Sequence, residues 1–194
     1  MLYLIHGQTF NDDQWERLGA DEAAAELIAA EEIVPFLIVM PFDLSSTQPS
    51  LDPFDEAVVN ELVTFIDAHF RTIAEREQRA VGGLSRGASW AIHLALQHPE
   101  LFGALGGHSP PVFVEDAPAV RGWLEEMPAE LMPRIWLDIG EKDQQAILNS
   151  AIWFEDVLTE MGIPHQWQMF PGNHDEAYWR SHVEDYLRWY AEAW

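Results

Sequence analysis

The chain of 194 residues contains no cysteine, and Lys142 is its only lysine. The lack of cysteine excludes disulfide bonds, thiol catalysis and metal sites built on thiolates. Acidic residues outnumber basic ones by 33 to 10, which gives a formal charge of -23 at pH 7. An acidic surface repels phosphate groups, so we expect no binding to nucleic acid or to an anionic membrane surface. The charge is consistent with simple solubility, including in a salty setting, and also with a preference for neutral or cationic substrates.

Long hydrophobic runs are also absent, and no segment approaches the roughly 20 residues that a membrane-spanning helix needs. Met1 leads directly into the apolar segment 2–5, without the basic region and cleavage site of a secretion signal. We therefore expect a cytoplasmic protein, or an extracellular one if the N-terminus is processed or truncated. No repeat interrupts the chain, and its length suits a single domain, residues 1–194.

Short apolar runs alternate along the chain with segments of helical periodicity. The apolar runs predict strands at 2–5, 36–40, 80–84, 105–109, 134–140 and 166–170. The helical segments are 21–31, 54–75, 89–97, 145–161 and 174–194, and 112–128 is irregular with a short helix. This alternation predicts an α/β fold with a mainly parallel sheet of about six strands, flanked by helices. Ligand sites in such sheets lie at the carboxyl ends of the strands.

One strand end carries a recognisable motif, Gly83-Leu84-Ser85-Arg86-Gly87. The pattern G-x-S-x-G between a strand and a helix is typical of the nucleophile elbow of α/β-hydrolases. Small residues are needed on either side because the bend is sharp, and the serine side chain is pushed out at the sheet rim. We therefore predict that Ser85 is a nucleophile and that the Arg86 amide faces a developing oxyanion.

A serine nucleophile needs a base, and the base needs a carboxylate that fixes its tautomer. Of the eight histidines, His174 alone follows a strand end and opens a helix, so we predict that it is the base. For the carboxylate we predict Asp143, which lies in the loop after a strand. Asp138 lies inside that strand, and Asp175 is placed to cap the following helix.

The remaining site residues are predicted from their position beside strand ends. The loop after the first strand should supply the second oxyanion donor, for which the Gln8 amide fits best, although its side chain could instead bond locally. Pocket walls are expected in the loops 9–15 and 109–123, where the aromatic residues could equally belong to the core. The candidates are Thr9, Phe10, Trp15, His108, Ser109, Phe113 and Trp123.

Six segments in this order resemble the Putative esterase family of α/β-hydrolases, which includes S-formylglutathione hydrolases, feruloyl and siderophore esterases, and mycolyltransferases. The segments are 4–8, 39–41, 83–89, 98–102, 138–143 and 171–175. The resemblance implies a serine carboxylesterase that hydrolyses short-chain or aryl esters through an acyl-enzyme, with no metal or organic cofactor. It also implies the same site residues: Ser85, Asp143, His174, and the Gln8 and Arg86 amides. An acyltransferase with the same triad and a non-catalytic binding scaffold stay open as alternatives.

The N-terminal strands of that family have no counterpart here, because its members have β-structure before the strand that corresponds to 2–5. The apolar strand 36–40 then becomes an edge strand without the charges or internal proline that normally protect an edge. We therefore expect a symmetric homodimer formed through residues 36–40. A domain truncated from a longer protein is the alternative.

Overall fold

The computed structural model of the protein describes residues 1–192 and residue 194. Its six strands form one sheet in the order β2-β1-β3-β4-β5-β6, and every neighbouring pair is parallel. The strands are β1 Leu2–Ile5, β2 Ile38–Val39, β3 Ala80–Leu84, β4 Ala104–His108, β5 Arg134–Gly140 and β6 Gln166–Phe170. The predicted fold class, a mainly parallel sheet of about six strands between helices, is confirmed.

The helices lie on both faces of this sheet. They are α1 Gln14–Arg17, α2 Ala20–Ala29, α3 Phe54–Glu56, α4 Val63–His69, α5 Arg86–Gln97, α6 Val120–Glu126, α7 Gln145–Glu160, α8 Glu176–Arg180 and α9 Val183–Ala191. A π-helical segment, Ala57–Leu62, joins α3 to α4. None of the described helices combines the length and apolar character that crossing a membrane requires.

Alternate residues of β1 divide the core into two layers, as expected for a strand covered on both faces. Tyr3 and Ile5 join the cluster formed with α3 to α7, whereas Leu2 and Leu4 join the cluster formed with α1, α2, α8 and α9. Helix α5 is almost entirely buried against β1, β3 and β4. The residue just before α5 is therefore held in a fixed place at the carboxyl ends of the central strands.

Three predicted elements differ from the structure. The strand predicted at 36–40 is reduced to Ile38–Val39 and is half-buried rather than buried, because it pairs on one side only, with β1. The helix predicted at 54–75 ends at His69, where the next residue is extended. The helix predicted at 174–194 is divided into α8 and α9, and Ala193 of that prediction lies outside the described residues.

Candidate active site

Ser85 occupies the turn between β3 and α5, with φ 53° and ψ -123°. A positive φ is strained for any residue with a side chain, and the Ser85 amide is held by donating to His108 O at 2.9 Å. A Cβ atom at Gly83 would overlap the main chain of Gly87, and one at Gly87 would overlap the Ile5 carbonyl. The two motif glycines are therefore required because strand and helix main chains touch on both sides of the serine.

The structure brings Ser85, His174 and Asp143 together in a chain of hydrogen bonds. His174 Nε2 lies 2.9 Å from Ser85 Oγ, and His174 Nδ1 lies 2.8 and 3.0 Å from the two Asp143 carboxylate oxygens. An ionised carboxylate only accepts, so Nδ1 donates to Asp143 and Nε2 is left to accept the Ser85 hydroxyl proton. The Asp143 side chain is fully buried, and the Gln144 amide donates to it at 2.6 Å. This arrangement can move a proton from the hydroxyl to the imidazole.

The loops that carry Asp143 and His174 are joined through their main chains. The Lys142 amide donates to Gly172 O at 2.9 Å, and a Cβ atom at Gly140 would lie 2.6 Å from the same oxygen. Only glycine at position 140 allows this close approach. The loops that carry Asp143 and His174 are consequently held together at the ends of β5 and β6.

Helix α8 packs behind His174. The Trp179 ring meets the His174 ring edge to face at a centroid distance of 5.0 Å, and its Nε1 donates to Ser109 Oγ at 3.2 Å. Asp175 caps α8, since its side chain accepts from the Tyr178 amide at 2.9 Å. The capping role inferred for Asp175 from its position before the helix is confirmed.

Asp138 is surrounded by its own partners and is not available to His174. Its Oδ1 is paired with His108 Nδ1 at 2.6 Å, and its Oδ2 accepts from Tyr178 and Tyr186 at 2.7 and 2.8 Å. Burial, and next the negative charge of Asp138, raise the pKa of both tyrosines far above the usual value. The tyrosines therefore stay protonated and donate to the carboxylate.

The Gln8 and Arg86 amides, predicted as oxyanion donors, lie in the loop after β1 and in the first turn of α5. The first N–H groups of a helix have no partner within that helix, which leaves the Arg86 amide available to a ligand. Gln8 belongs to a tight turn in which the Phe10 amide donates to Gly7 O at 3.2 Å. Thr9 in this turn has φ 67°, a strained value for threonine.

The predicted pocket residues fall into two groups. Thr9 and Phe10 are exposed beside Gln8, where they can border a ligand. The others are buried and do not form the predicted pocket walls, and for Trp15 and Phe113 this is the alternative placement in the core: Trp15, His108, Ser109 and Phe113. Trp15 Nε1 donates to Ile5 O and Phe113 packs on Trp90, so these aromatic rings fill the core instead of lining an open site.

Trp123 borders a cavity of about 630 Å³ beside α5, which is also lined by His93 and Asp116 and does not include Ser85 or His174. Among the described residues, no three histidine, aspartate or glutamate side chains are grouped so that they could hold a metal ion.

A cluster around the Arg86 side chain was missed by the sequence analysis. The Arg86 guanidinium donates to Asp43 Oδ2 at 2.8 Å and to Asp52 Oδ2 at 3.2 Å, and Trp90 Nε1 also donates to Asp43 Oδ2 at 2.8 Å. These carboxylates lie in the irregular segment 41–53, where no periodicity marks them. The one available signal was the position of Asp43 just after β2, at the same rim of the sheet as the serine.

A parallel sheet with a serine on a glycine-flanked turn, and with an aspartate and a histidine after later strands, is the arrangement of α/β-hydrolases. The family model described as "Putative esterase" matches residues 1–190. The chain belongs to this family.

Known proteins are similar to this chain in sequence and in fold. The chain is 27% identical, over 95% of its length, to an endo-1,4-beta-xylanase/feruloyl esterase of Xylanibacter ruminicola, and it spans about a quarter (25%) of that protein. A solved ferulic acid esterase superposes with a TM-score of 0.84 at 23% identity, covering 99% of this chain and 84% of the other. An S-formylglutathione hydrolase from Staphylococcus aureus gives a TM-score of 0.73 at 20% identity, with 98% and 83% covered. The structural likenesses show the α/β-hydrolase fold.

Proposed function

We propose that the protein is a serine carboxylesterase that works through an acyl-enzyme intermediate. The observation that carries this proposal is the hydrogen-bond chain from Ser85 Oγ through His174 to Asp143. Membership of the esterase family also supports it. A hydroxyl is a poor nucleophile at neutral pH, and a base in hydrogen-bond contact is what activates it.

We propose the following reaction on the basis of this geometry. His174 Nε2 takes the Ser85 proton while Oγ attacks the ester carbonyl, and the Asp143 carboxylate stabilises the imidazolium that forms. The Gln8 and Arg86 amides donate to the carbonyl oxygen as it gains negative charge. His174 then returns the proton to the leaving alcohol, and water repeats the sequence on the acyl-enzyme, releasing the acid and free Ser85.

We propose short-chain or aryl esters as substrates, with feruloyl esters as the first to test. This choice is supported by a relative similar in sequence that is named a feruloyl esterase and by a protein of similar fold that is named a ferulic acid esterase. Two exposed aromatic side chains next to the proposed oxyanion loop support it too: Phe10 lies two residues after Gln8, and Phe42 packs on His6 at a centroid distance of 5.5 Å. The charge of -23 disfavours anionic substrates.

The proposal is tested by hydrolysis of p-nitrophenyl acetate and methyl ferulate. Ser85→Ala should abolish both reactions, whereas Ser89→Ala should leave them intact. Ser89 lies on the same helix, but its hydroxyl donates to Pro111 O. Full activity in Ser85→Ala would disprove the proposal. Added alcohols or sugars measure acyl transfer, and an ester product that exceeds the free acid would identify an acyltransferase.

A further inference from the structure

His6 is a buried histidine beside the proposed oxyanion hole that takes no part in the proton transfer above. It is 3% exposed, and both of its ring nitrogens face main-chain groups. The Asp43 amide donates to His6 Nε2 at 3.0 Å, and His6 Nδ1 lies 2.8 Å from Gly7 O. An amide can only donate, so Nε2 carries no proton, and the neutral ring must carry its proton on Nδ1 and donate it to Gly7 O.

This contact, together with the Phe10 amide that donates to the same oxygen, sets the direction of the Gln8 amide. Gly7 C=O and Gln8 N–H belong to one planar trans peptide, in which the two groups point in opposite directions. Holding the Gly7 oxygen against His6 therefore fixes where the Gln8 proton points. The preceding peptide is fixed as well, since the Gly7 amide donates to Gln14 Oε1 at 2.8 Å.

Asp43 also contacts the element that bears the second donor. Its carboxylate accepts from the Arg86 side chain and from Trp90, both on α5. Asp43 and Arg86 are 6% and 7% exposed, and a buried charge-assisted hydrogen bond is strong and directional. The main chain of Asp43 thus constrains the Gln8 amide through His6. The side chain of Asp43 constrains Arg86, whose own amide is the other donor.

We propose that Asp43, acting through His6 and through Arg86, is a positioning residue that aligns the two backbone donors of the oxyanion hole. The inference rests on the proposed esterase function. The Asp43 carboxylate, in the segment after β2, and the Nδ1-protonated tautomer of His6 thereby each have a functional role.

The test compares His6→Phe, which keeps a ring without donor or acceptor, with His6→Asn, whose amide can still donate near the Nδ1 position. Removing an oxyanion donor lowers turnover roughly 10²–10³-fold. In His6→Phe the Gln8 amide is still present but misaligned, so kcat should fall by a smaller factor, about tenfold, with KM nearly unchanged. In His6→Asn part of this loss should be recovered. Asp43→Asn should also lower kcat by about tenfold. His93→Asn is the matched control, since His93 pairs with Asp116 away from the serine and should keep wild-type kcat.

A second readout separates alignment from stability. A trifluoromethyl ketone forms an oxyanion on the serine, so its affinity should fall in parallel with kcat, which a merely destabilised fold would not produce. If His6→Phe fails to fold, ¹⁵N NMR of the wild-type protein still decides, because we expect the Nδ1-protonated tautomer for His6.

Wild-type kcat and inhibitor affinity in His6→Phe, or an Nε2-protonated His6, would overturn this inference alone. Failure of the esterase proposal is distinguished by a different result, namely full hydrolysis in Ser85→Ala.

Discussion

Two fully buried aspartates near the end of β5 have different partners. Asp138 lies within the strand and is bonded by tyrosines and His108, whereas Asp143 lies in the following loop and faces His174. The difference follows from backbone position, because a strand residue points into a covered face of the sheet and a loop residue reaches the rim. The two carboxylates should therefore affect different properties of the protein.

Replacing each aspartate by asparagine tests this difference. Asp143→Asn should lower kcat by roughly 10³–10⁴-fold with little loss of stability, because an amide no longer holds His174 in the required tautomer. Asp138→Asn should instead lower the free energy of unfolding by about 1–3 kcal/mol, since hydrogen bonds to a charge are replaced by weaker ones. Kinetics and urea unfolding measure the two effects. The same pattern of losses in both variants would contradict the assignment.

The sequence was sufficient to predict which of these aspartates, and which histidine, the structure places beside Ser85, because strand ends on one sheet converge. It was not sufficient to predict the environment of Trp15 or Phe113, which are buried. An aromatic residue in a loop near the rim has no periodicity, so nothing in the pattern tells whether its ring turns outward or inward.

Helices α8 and α9 are attached to the sheet by tyrosines that donate to the same oxygen. Tyr178 in α8 and Tyr186 in α9 both bond Asp138 Oδ2. The predicted helix 174–194 is divided into two helices that contact this shared acceptor. Such a tertiary contact cannot be predicted from helical periodicity. In contrast, β5 and β6 have the predicted bounds, because their apolar runs are short and clearly delimited.

The two tyrosines form a matched pair of substitutions. Tyr178→Phe and Tyr186→Phe should each lower the free energy of unfolding by about 1.5–3 kcal/mol, through loss of a hydrogen bond to a charged group. Only Tyr178→Phe should also lower kcat, by about tenfold, because α8 follows His174 directly and a displaced base loses its geometry. Chemical unfolding and steady-state kinetics test this. Equal kcat in the two variants would show that α8 does not position the base.

A partly exposed ion pair between Asp55 in α3 and His98 at the end of α5 should make stability depend on pH. The hydrogen bond with Asp55 raises the pKa of His98 above the usual 6.5. Burial favours a higher pKa for Asp55, but the hydrogen bond and charge of His98 lower it below the usual 3.8. Because the pKa of His98 is raised in the folded state, the ion pair stabilises the fold below pH 6.5, and this effect is lost as the pH rises through the folded pKa. Because the pKa of Asp55 is lowered in the folded state, its contribution to stability is present above pH 3.8.

The stabilisation should therefore be largest between these two values. The difference in unfolding free energy between wild type and Asp55→Asn should be near its maximum, about 1 kcal/mol or less, at about pH 5 and smaller at about pH 8. Urea unfolding at several pH values measures it. A difference that grows with rising pH would contradict the pairing.

At the scale of the whole molecule, β2 forms one of the two edges of the sheet. Strand β2 pairs only with β1, and the Phe36 ring nearby packs against Trp194 at a centroid distance of 5.0 Å. Part of this edge is thus covered from within the chain. The position of the strand at the edge could be predicted from the sequence, but its shortening could not, since the length of a strand paired on one side depends on tertiary contacts.

We propose that a second copy pairs with this edge in a symmetric dimer. The charge of -23 opposes association, and salt screens it, with a Debye length of about 10 Å at 0.1 M and about 3 Å at 1 M. Light scattering at micromolar concentration should therefore show a dimer that becomes more abundant as salt is added. A monodisperse monomer at every salt concentration would contradict the proposal.

The central claim is that Ser85 is activated by His174, and covalent labelling tests it most directly. A fluorophosphonate probe reacts with an activated serine, so the wild-type protein should gain one adduct, located on Ser85 by peptide mass spectrometry. Ser85→Ala should not be labelled, and His174→Ala should be labelled far more slowly. An unlabelled wild-type protein, or an adduct on any other residue, would contradict the account.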